Sequence, residues 1–297
     1  MKHRLLPFFL PALFLLAGCE KDIDFPLDEV APKLVVEATI ENGQPPLVIL
    51  SRSLGFFSQL SLDQLANSFV HNAQVEISNG TVTHRLKEYT VPVPNSTYSV
   101  SFYTIDSSNL STAFLGSLQT NYSMRIVAEG QEYTAQTRIP AVTKRIDSIW
   151  WRPNSRDTTE GKVEVMVKVT DPRGYGDYVR YWTQRNSERL LPGRNSVFDD
   201  LVIDGTTYDL PVDPGVDRNG TNNGFDERAF KHGDTVTLKL ANIDRATFDF
   251  WRTWEYSRQS VGNPFSSPTT ILSNISNGAL GYFGGYAAQS RTIIIPR

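Results

Sequence analysis

AQVEISNGTVTHRL, residues 73–86, decides the fold class. Ala73, Val75 and Ile77 fall on one side of an extended chain, and Gln74, Glu76 and Ser78 on the other. That period of two belongs to a half-buried β-strand. Asn79-Gly80 then interrupts the run. Both central positions of a type I′ turn need positive φ, which asparagine and glycine tolerate, so the pair predicts a two-residue hairpin. Residues 122–140, YSMRIVAEGQEYTAQTRIP, repeat the device. Met124, Ile126 and Ala128 alternate, Glu129-Gly130 turns, and Tyr133, Ala135 and Thr137 return. Extended segments at 34–40, 47–50 and 98–105 bring the count to at least six strands. Short strands punctuated this way predict an immunoglobulin-like β-sandwich over residues 33–140.

Within that half, SLDQLANSF departs from the pattern. Ser61 followed by Gln64 is a capping-box spacing, which predicts a short helix near 62–68. Pro140 closes the first half, and residues 141–297 read as a second β-rich domain. Val163, Val165, Val167 and Val169 alternate with polar or long residues, and 178–184, 235–240 and 292–295 also read as strands. Asp244 is a candidate N-cap for one substantial helix near 245–260, with Phe250, Trp254, Ser257 and Val261 on one face. The fold class expected is mainly β, a sandwich followed by a β-rich domain with one helix.

The first residues point to an address. Met1 to Arg4 is a basic start, and Leu5 to Ala17 is an apolar run of thirteen residues. A bilayer span needs about 20, so residues 1–18 read as a secretory signal. Leu16-Ala17-Gly18-Cys19 resembles the bacterial lipobox, in which the cysteine is acylated and becomes the mature N-terminus. Cys19 is the only cysteine in the chain. Two or more acyl chains anchor a protein stably, so Cys19 is the expected attachment to a lipid bilayer. Residues 19–32 are acidic and carry Pro26 and Pro32, the composition of an extended tether.

Composition narrows the chemistry. The net charge is −3 with no concentrated basic stretch, so a nucleic-acid partner is not expected. His71, His84 and His232 have no metal-ligand spacing, and no phosphate-cradling loop or nucleophile-elbow motif occurs. No cofactor, metal or catalytic residue is therefore assigned. A pair of Asp/Glu side chains could still hydrolyse a glycoside, and sequence does not show which pair would face one bond. Asp217 to Arg228, DRNGTNNGFDER, has the alternating oxygens of a calcium loop. It places Asn222 where glycine is needed and Arg228 where a bidentate glutamate is needed, so a solvated turn-rich loop is the better reading. The aromatic clusters at Trp150-Trp151, Tyr181-Trp182 and Phe248 to Trp254 are expected to fill cores before they contact a ligand.

NPFSSPTTILSNISNGALGYFGGYAAQS, residues 263–290, fits neither an ordinary strand nor a helix. With CEKDIDF, PKLVVEATIENGQPPLVILSRS, DDLVIDGTTYDL, GDTVTLKLANID and TFDFWRTWE it resembles the DUF4249 family of Bacteroidetes outer-membrane lipoproteins. The residues that carry the likeness at this end are Asn263, Pro264, Phe265, Ser273, Asn274, Ile275, Asn277, Gly278, Phe283, Gly284 and Gly285. Ala279-Leu280 is a departure, because a shorter, glycine-like link is expected there. The resemblance implies an outer-membrane lipoprotein associated with a TonB-dependent transporter in nutrient uptake. It also implies that Glu20, Lys21, Asp22 and Asp24 form a surface-export signal. Asn263, Pro264, Phe265, Ser273, Asn274, Gly278, Phe283, Gly284 and Gly285 are the candidate docking or ligand loop. A non-catalytic accessory or ligand-binding role is thus the leading expectation. A surface hydrolase using an Asp/Glu pair and a structural or adhesive surface protein are the alternatives.

Overall fold

The computed structural model describes residues 31–55, 61–94, 96, 98–155, 161–217, 229–261, 267 and 269–297. The first half runs β1 (Leu34–Glu41), β2 (Leu47–Arg52), α1 (Leu62–Asn67), β3 (Gln74–Ser78), β4 (Thr83–Arg85), β5 (Lys87–Pro92), β6 (Ser99–Thr104), β7 (Thr120–Ala128) and β8 (Gln131–Ile139). The second continues with β9 (Arg145–Pro153), β10 (Lys162–Thr170), β11 (Tyr178–Arg185), β12 (Leu191–Phe198), β13 (Thr207–Val212), β14 (Phe230–Lys231), β15 (Thr235–Ile243), α2 (Arg245–Ser260) and β16 (Leu280–Ile294). The architecture is mainly β, with α2 the one substantial helix. Among the described residues, no helix is long and apolar enough to cross a membrane.

One eight-stranded sheet, ordered β12-β11-β15-β16-β1-β2-β6-β5, runs through both halves. Two four-stranded sheets accompany it: β4-β3-β7-β8, and β13-β10-β14 with β9 paired to β10. Pairing parity shows how they stack. Val36, Ala38 and Ile40 lie opposite Gly281, Phe283 and Gly285, so they share a face, and Ala287 on that face pairs with Asn242. Val36, Ala38, Phe283 and Ala287 bury against Val75, Ile77, Met124 and Ile126 of the β3–β8 sheet. Farther along the same face, Leu238 and Leu240 bury against Val163, Val165 and Val167 of the β9–β14 sheet. Each half therefore has its own partner sheet, and the large sheet is common to both. The opposite face carries α2, where Phe248 and Phe250 pack on Tyr282 and Tyr286.

This corrects the domain division expected at residue 140. Pro32–Arg297 is one compact unit. The sandwich of residues 33–140 is incomplete without β16, which lies parallel to β1 and antiparallel to β15. A second correction concerns the glycine-aromatic segment, which was expected to be neither strand nor helix. Residues 280–294 form a 15-residue strand, with Tyr282 to Ala287 buried continuously. The β3–β8 sheet covers one side of this strand and α2 the other, so no polar alternation marks it. At Gly285 an added Cβ would lie 2.4 Å from the Arg138 carbonyl oxygen, so only glycine lets β8 come this close.

The two turns also differ from each other. Glu129 and Gly130 both take positive φ, 52° and 77°, between the paired residues Ala128 and Gln131, as a type I′ hairpin requires. The Asn79-Gly80 turn is wider than expected, because Ser78 pairs with Thr83 and only Gly80 has positive φ, 89°. The Asn79 side chain explains this: Oδ1 accepts from the backbone N–H groups of Thr81 and Val82 at 3.0 and 2.8 Å. That Asx-type bonding competes with the tight turn. Both helix caps form as read. Ser61 and Gln64 make the reciprocal capping box of α1, and the Asp244 carboxylate caps α2 at Thr247 N.

Glu88 ties the loop after α1 to β5. Its carboxylate accepts from Asn72 N at 2.7 Å and from Tyr103 Oη at 3.2 Å, and lies 2.5 Å from His71 Nδ1. Burial acts to raise its pKa, but the hydrogen bonds from Asn72, His71 and Tyr103 together bring it below the ordinary 4.5. A depressed folded pKa gives stability that is present above the unfolded value and lost as pH falls through the folded one. Glu88→Gln is expected to cost about 1–2 kcal/mol at pH 7, a loss that fades below about pH 4. Denaturant titration across that range checks it, and a pH-independent difference would refute the assignment.

Candidate functional site

The segment after α2 comes back to the edge of the β3–β8 sheet. Asn274 does most of the fastening. Its amide nitrogen donates to Phe283 O at 2.8 Å and Gln136 O at 3.0 Å, and its Oδ1 accepts from Phe283 N at 2.9 Å. Ser276 N donates to Thr134 O at 2.8 Å, and Thr134 N donates to Ser276 Oγ at 2.7 Å. Ile275 forms a bridge with Ala135, so residues 273–276 cover the free edge of β8. Asn277 and Gly278 then reverse the chain, both at positive φ, 56° and 70°.

This return makes the wall of a groove of about 830 Å³. Its floor is the outer face of β3, β7 and β8, with Glu76, Ser78, Ser123, Arg125, Thr134 and Gln136, and its far side includes Ser273, Asn274 and Ser276. The floor follows from the period of two, since Val75, Ile77, Met124 and Ala135 turn inward between these residues. Arg125 is the one cation on the lining among the described residues, 2.7 Å from Glu132 and 3.5 Å from Glu76. The Glu132 carboxylate holds the Arg125 guanidinium charged and is itself pushed below the usual carboxylate range by Arg125. The remaining lining is mainly hydroxyls and amides on a rigid sheet, suited to recognition by hydrogen bonds.

The candidate loop therefore divides. Ser273 and Asn274 line the groove. Gly278 forms the turn beside it. Phe283 is fully buried in the core, and Gly284 and Gly285 are buried beneath Thr247 of α2 and Arg138 of β8. These three do not form a docking surface, because sheet packing from both sides has already used them. Asn263, Pro264 and Phe265 lie outside the described residues, as do Cys19, Glu20, Lys21, Asp22 and Asp24. Glu76, Ser78, Ser123, Arg125, Thr134 and Gln136 escape a reading of the sequence, where they look like the outward residues of any hairpin.

Two buried polar clusters lie elsewhere. Asp171, Asp177 and Asp200 bring carboxylate oxygens within 4.8 Å of one another. Lys144, fully buried, places its ammonium 3.2 Å from Asp171, off the axis of a hydrogen bond. Burial pushes the Asp171 carboxyl up, Lys144 opposes this, and Asp177 adds to it. The other carboxylate oxygens are engaged by the loops themselves: Asp200 Oδ2 accepts from Gly176 N and Asp177 N at 2.8 and 3.1 Å, and Asp177 Oδ1 from Thr143 Oγ1 at 2.5 Å. The arrangement secures loops around a buried lysine.

The second cluster lies under α2. The Arg180 guanidinium stacks 3.3 Å from the Trp251 ring centroid and 4.8 Å from that of Trp182. Its Nε donates to Ser196 Oγ at 3.2 Å, and Ser196 donates onward to Glu255 at 2.6 Å. Phe250 stacks on Tyr282 at 4.5 Å, and burial raises the Tyr282 hydroxyl well above its ordinary pKa. The aromatics near residue 250 are thus core, as the sequence suggests. Asp217, the first candidate of the calcium loop, pairs with Arg189 at 2.7 Å, and residues 218–228 lie outside the described residues.

No curated protein matches this chain. A family match does extend along nearly all of it, over residues 20–292, to the family described as "Domain of unknown function (DUF4249)". With β1, β15, the 273–278 segment and β16 as far as Thr292 inside that match, the chain belongs to the DUF4249 family.

Proposed function

We propose that this protein is a non-catalytic, lipid-anchored binding protein of the outer-membrane surface, and that its groove docks a TonB-dependent transporter to assist nutrient uptake. The groove carries the reading. A wide floor of hydroxyls, amides and one charge-paired arginine, fixed by a sheet ladder and by the clipped 273–276 segment, suits a protein partner recognised by hydrogen bonds. Cys19 supplies the anchor, and Glu20, Lys21, Asp22 and Asp24 supply the outward address. The acidic, proline-bearing composition of residues 19–32 suits a tether between the anchor and the folded unit.

The test is affinity purification of the tagged, lipidated full chain from detergent-solubilised membranes. An outer-membrane barrel should be recovered in defined proportion. Purification that brings down no barrel overturns the proposal.

A further inference from the structure

The half-sandwich formed by β10 and β13 against β11 and β15 does not close completely. An apolar slot of about 440 Å³ opens between the two sheets at the Phe198–Ile203 loop. Val169, Val179, Leu238 and Tyr208 are among its walls. At its mouth Phe198 and Leu210 are 46 % and 45 % exposed, and Val202 on the loop is 94 % exposed. The slot is about three times the volume of an engineered cavity that holds benzene, which gives room for a body on the order of fifteen heavy atoms. Ligand pockets have this size and this apolar lining, with a few polar groups that set orientation.

The polar groups here favour one charge. Among the described residues, Asp199 and Asp213 are the only acidic ones on the lining. Neither makes an ion pair or side-chain hydrogen bond among the described residues. Lys144 is the only cation on the lining among the described residues, and Asp171 already pairs with it. Behind it Asp177 and Asp200 add further negative charge. The local field therefore repels a carboxylate or phosphate head and attracts an ammonium. Tyr208, whose hydroxyl is pushed up to about 12 by burial and by Asp171 and Asp200, stays protonated and can donate.

We infer that this slot binds an amphipathic cation, its apolar body between the sheets and its protonated amine at Asp199 and Asp213. The inference goes beyond the docking groove and does not depend on it. The experiment is calorimetric titration of the mature chain, residues 19–297 carrying Cys19→Ser, which lacks both the apolar run of residues 5–17 and the acyl anchor, with decylamine, decanol and decanoate. Decylamine should bind one to one and at least about tenfold tighter than decanoate. The double variant Asp199→Asn, Asp213→Asn should weaken decylamine about tenfold and leave decanol unchanged. Leu210→Trp, at a half-exposed mouth position, should block both. No binding of decylamine below about 1 mM overturns the inference. So does decanoate binding as tightly as decylamine, or decylamine affinity that neither variant alters. A melting curve like that of the parent chain shows that each variant folds.

Discussion

Lys144→Met is expected to destabilise the protein by about 3–5 kcal/mol at pH 7, the cost of removing one partner from a buried ion pair. The site explains the size of the effect. Lys144 is fully buried, and it makes the only ion pair among the described residues to the Asp171, Asp177 and Asp200 cluster. Methionine would fill much of the same volume, so the loss reports charge more than packing. The pH dependence gives a second check. Burial already raises the folded pKa of Asp171, and losing the ammonium raises it further. An acid whose folded pKa is raised pays no penalty below its unfolded pKa, near 3.8, and the full penalty above its folded one. The deficit of the variant should therefore be small near pH 4 and grow as pH rises. A deficit under about 1 kcal/mol, or one constant with pH, would show that the cluster is not held by this lysine.

Gly281→Ala should be comparably damaging, at about 3–5 kcal/mol, because two costs combine. Gly281 has φ of +98°, where an L-residue is strained, and an added Cβ would lie 1.9 Å from the Val36 carbonyl oxygen. That atom belongs to the β1 backbone, in the parallel pairing that joins the two halves, so it cannot swing aside. Gly80→Ala is the control. Its φ of +89° is similarly strained, but nothing lies within 4 Å of the added Cβ. Only the backbone term, about 1 kcal/mol, should appear there. Equal losses at the two positions, measured by denaturant unfolding, would mean that β16 is not packed against β1 in this register.

The same strand shows where the sequence stops being legible. Strands β3, β7 and β8 were readable because one side faces water and alternation survives: Val75 and Ile77 inward, Glu76 and Ser78 outward. The helices were readable because Ser61 with Gln64 and Asp244 bond to backbone within three residues. Of strand β16 only the end at 292–294 was readable, since α2 and β8 bury both sides of the part before it and its glycines serve close approach. Strand β12 was missed for a local reason, Pro192 and Gly193, which read as a break. The groove was half legible. Ser273 and Asn274 stand out in the sequence, but the segment becomes a wall only because Asn274 bonds to Gln136 and Ser276 to Thr134, more than 130 residues earlier. No local pattern encodes that pairing.

The central claim is that the groove between the 273–276 segment and the β3–β8 sheet is the docking face for an outer-membrane partner. The most direct measurement compares the barrel recovered by the tagged, lipidated chain with that recovered by the double variant Ser123→Arg, Gln136→Arg. Both positions are exposed on the groove floor, so the added arginines occupy the groove without entering the core. The wild-type chain should bring down a barrel, and the double variant should recover about tenfold less while melting like the wild type. Equal recovery by the variant, or no barrel with either chain, would contradict the claim.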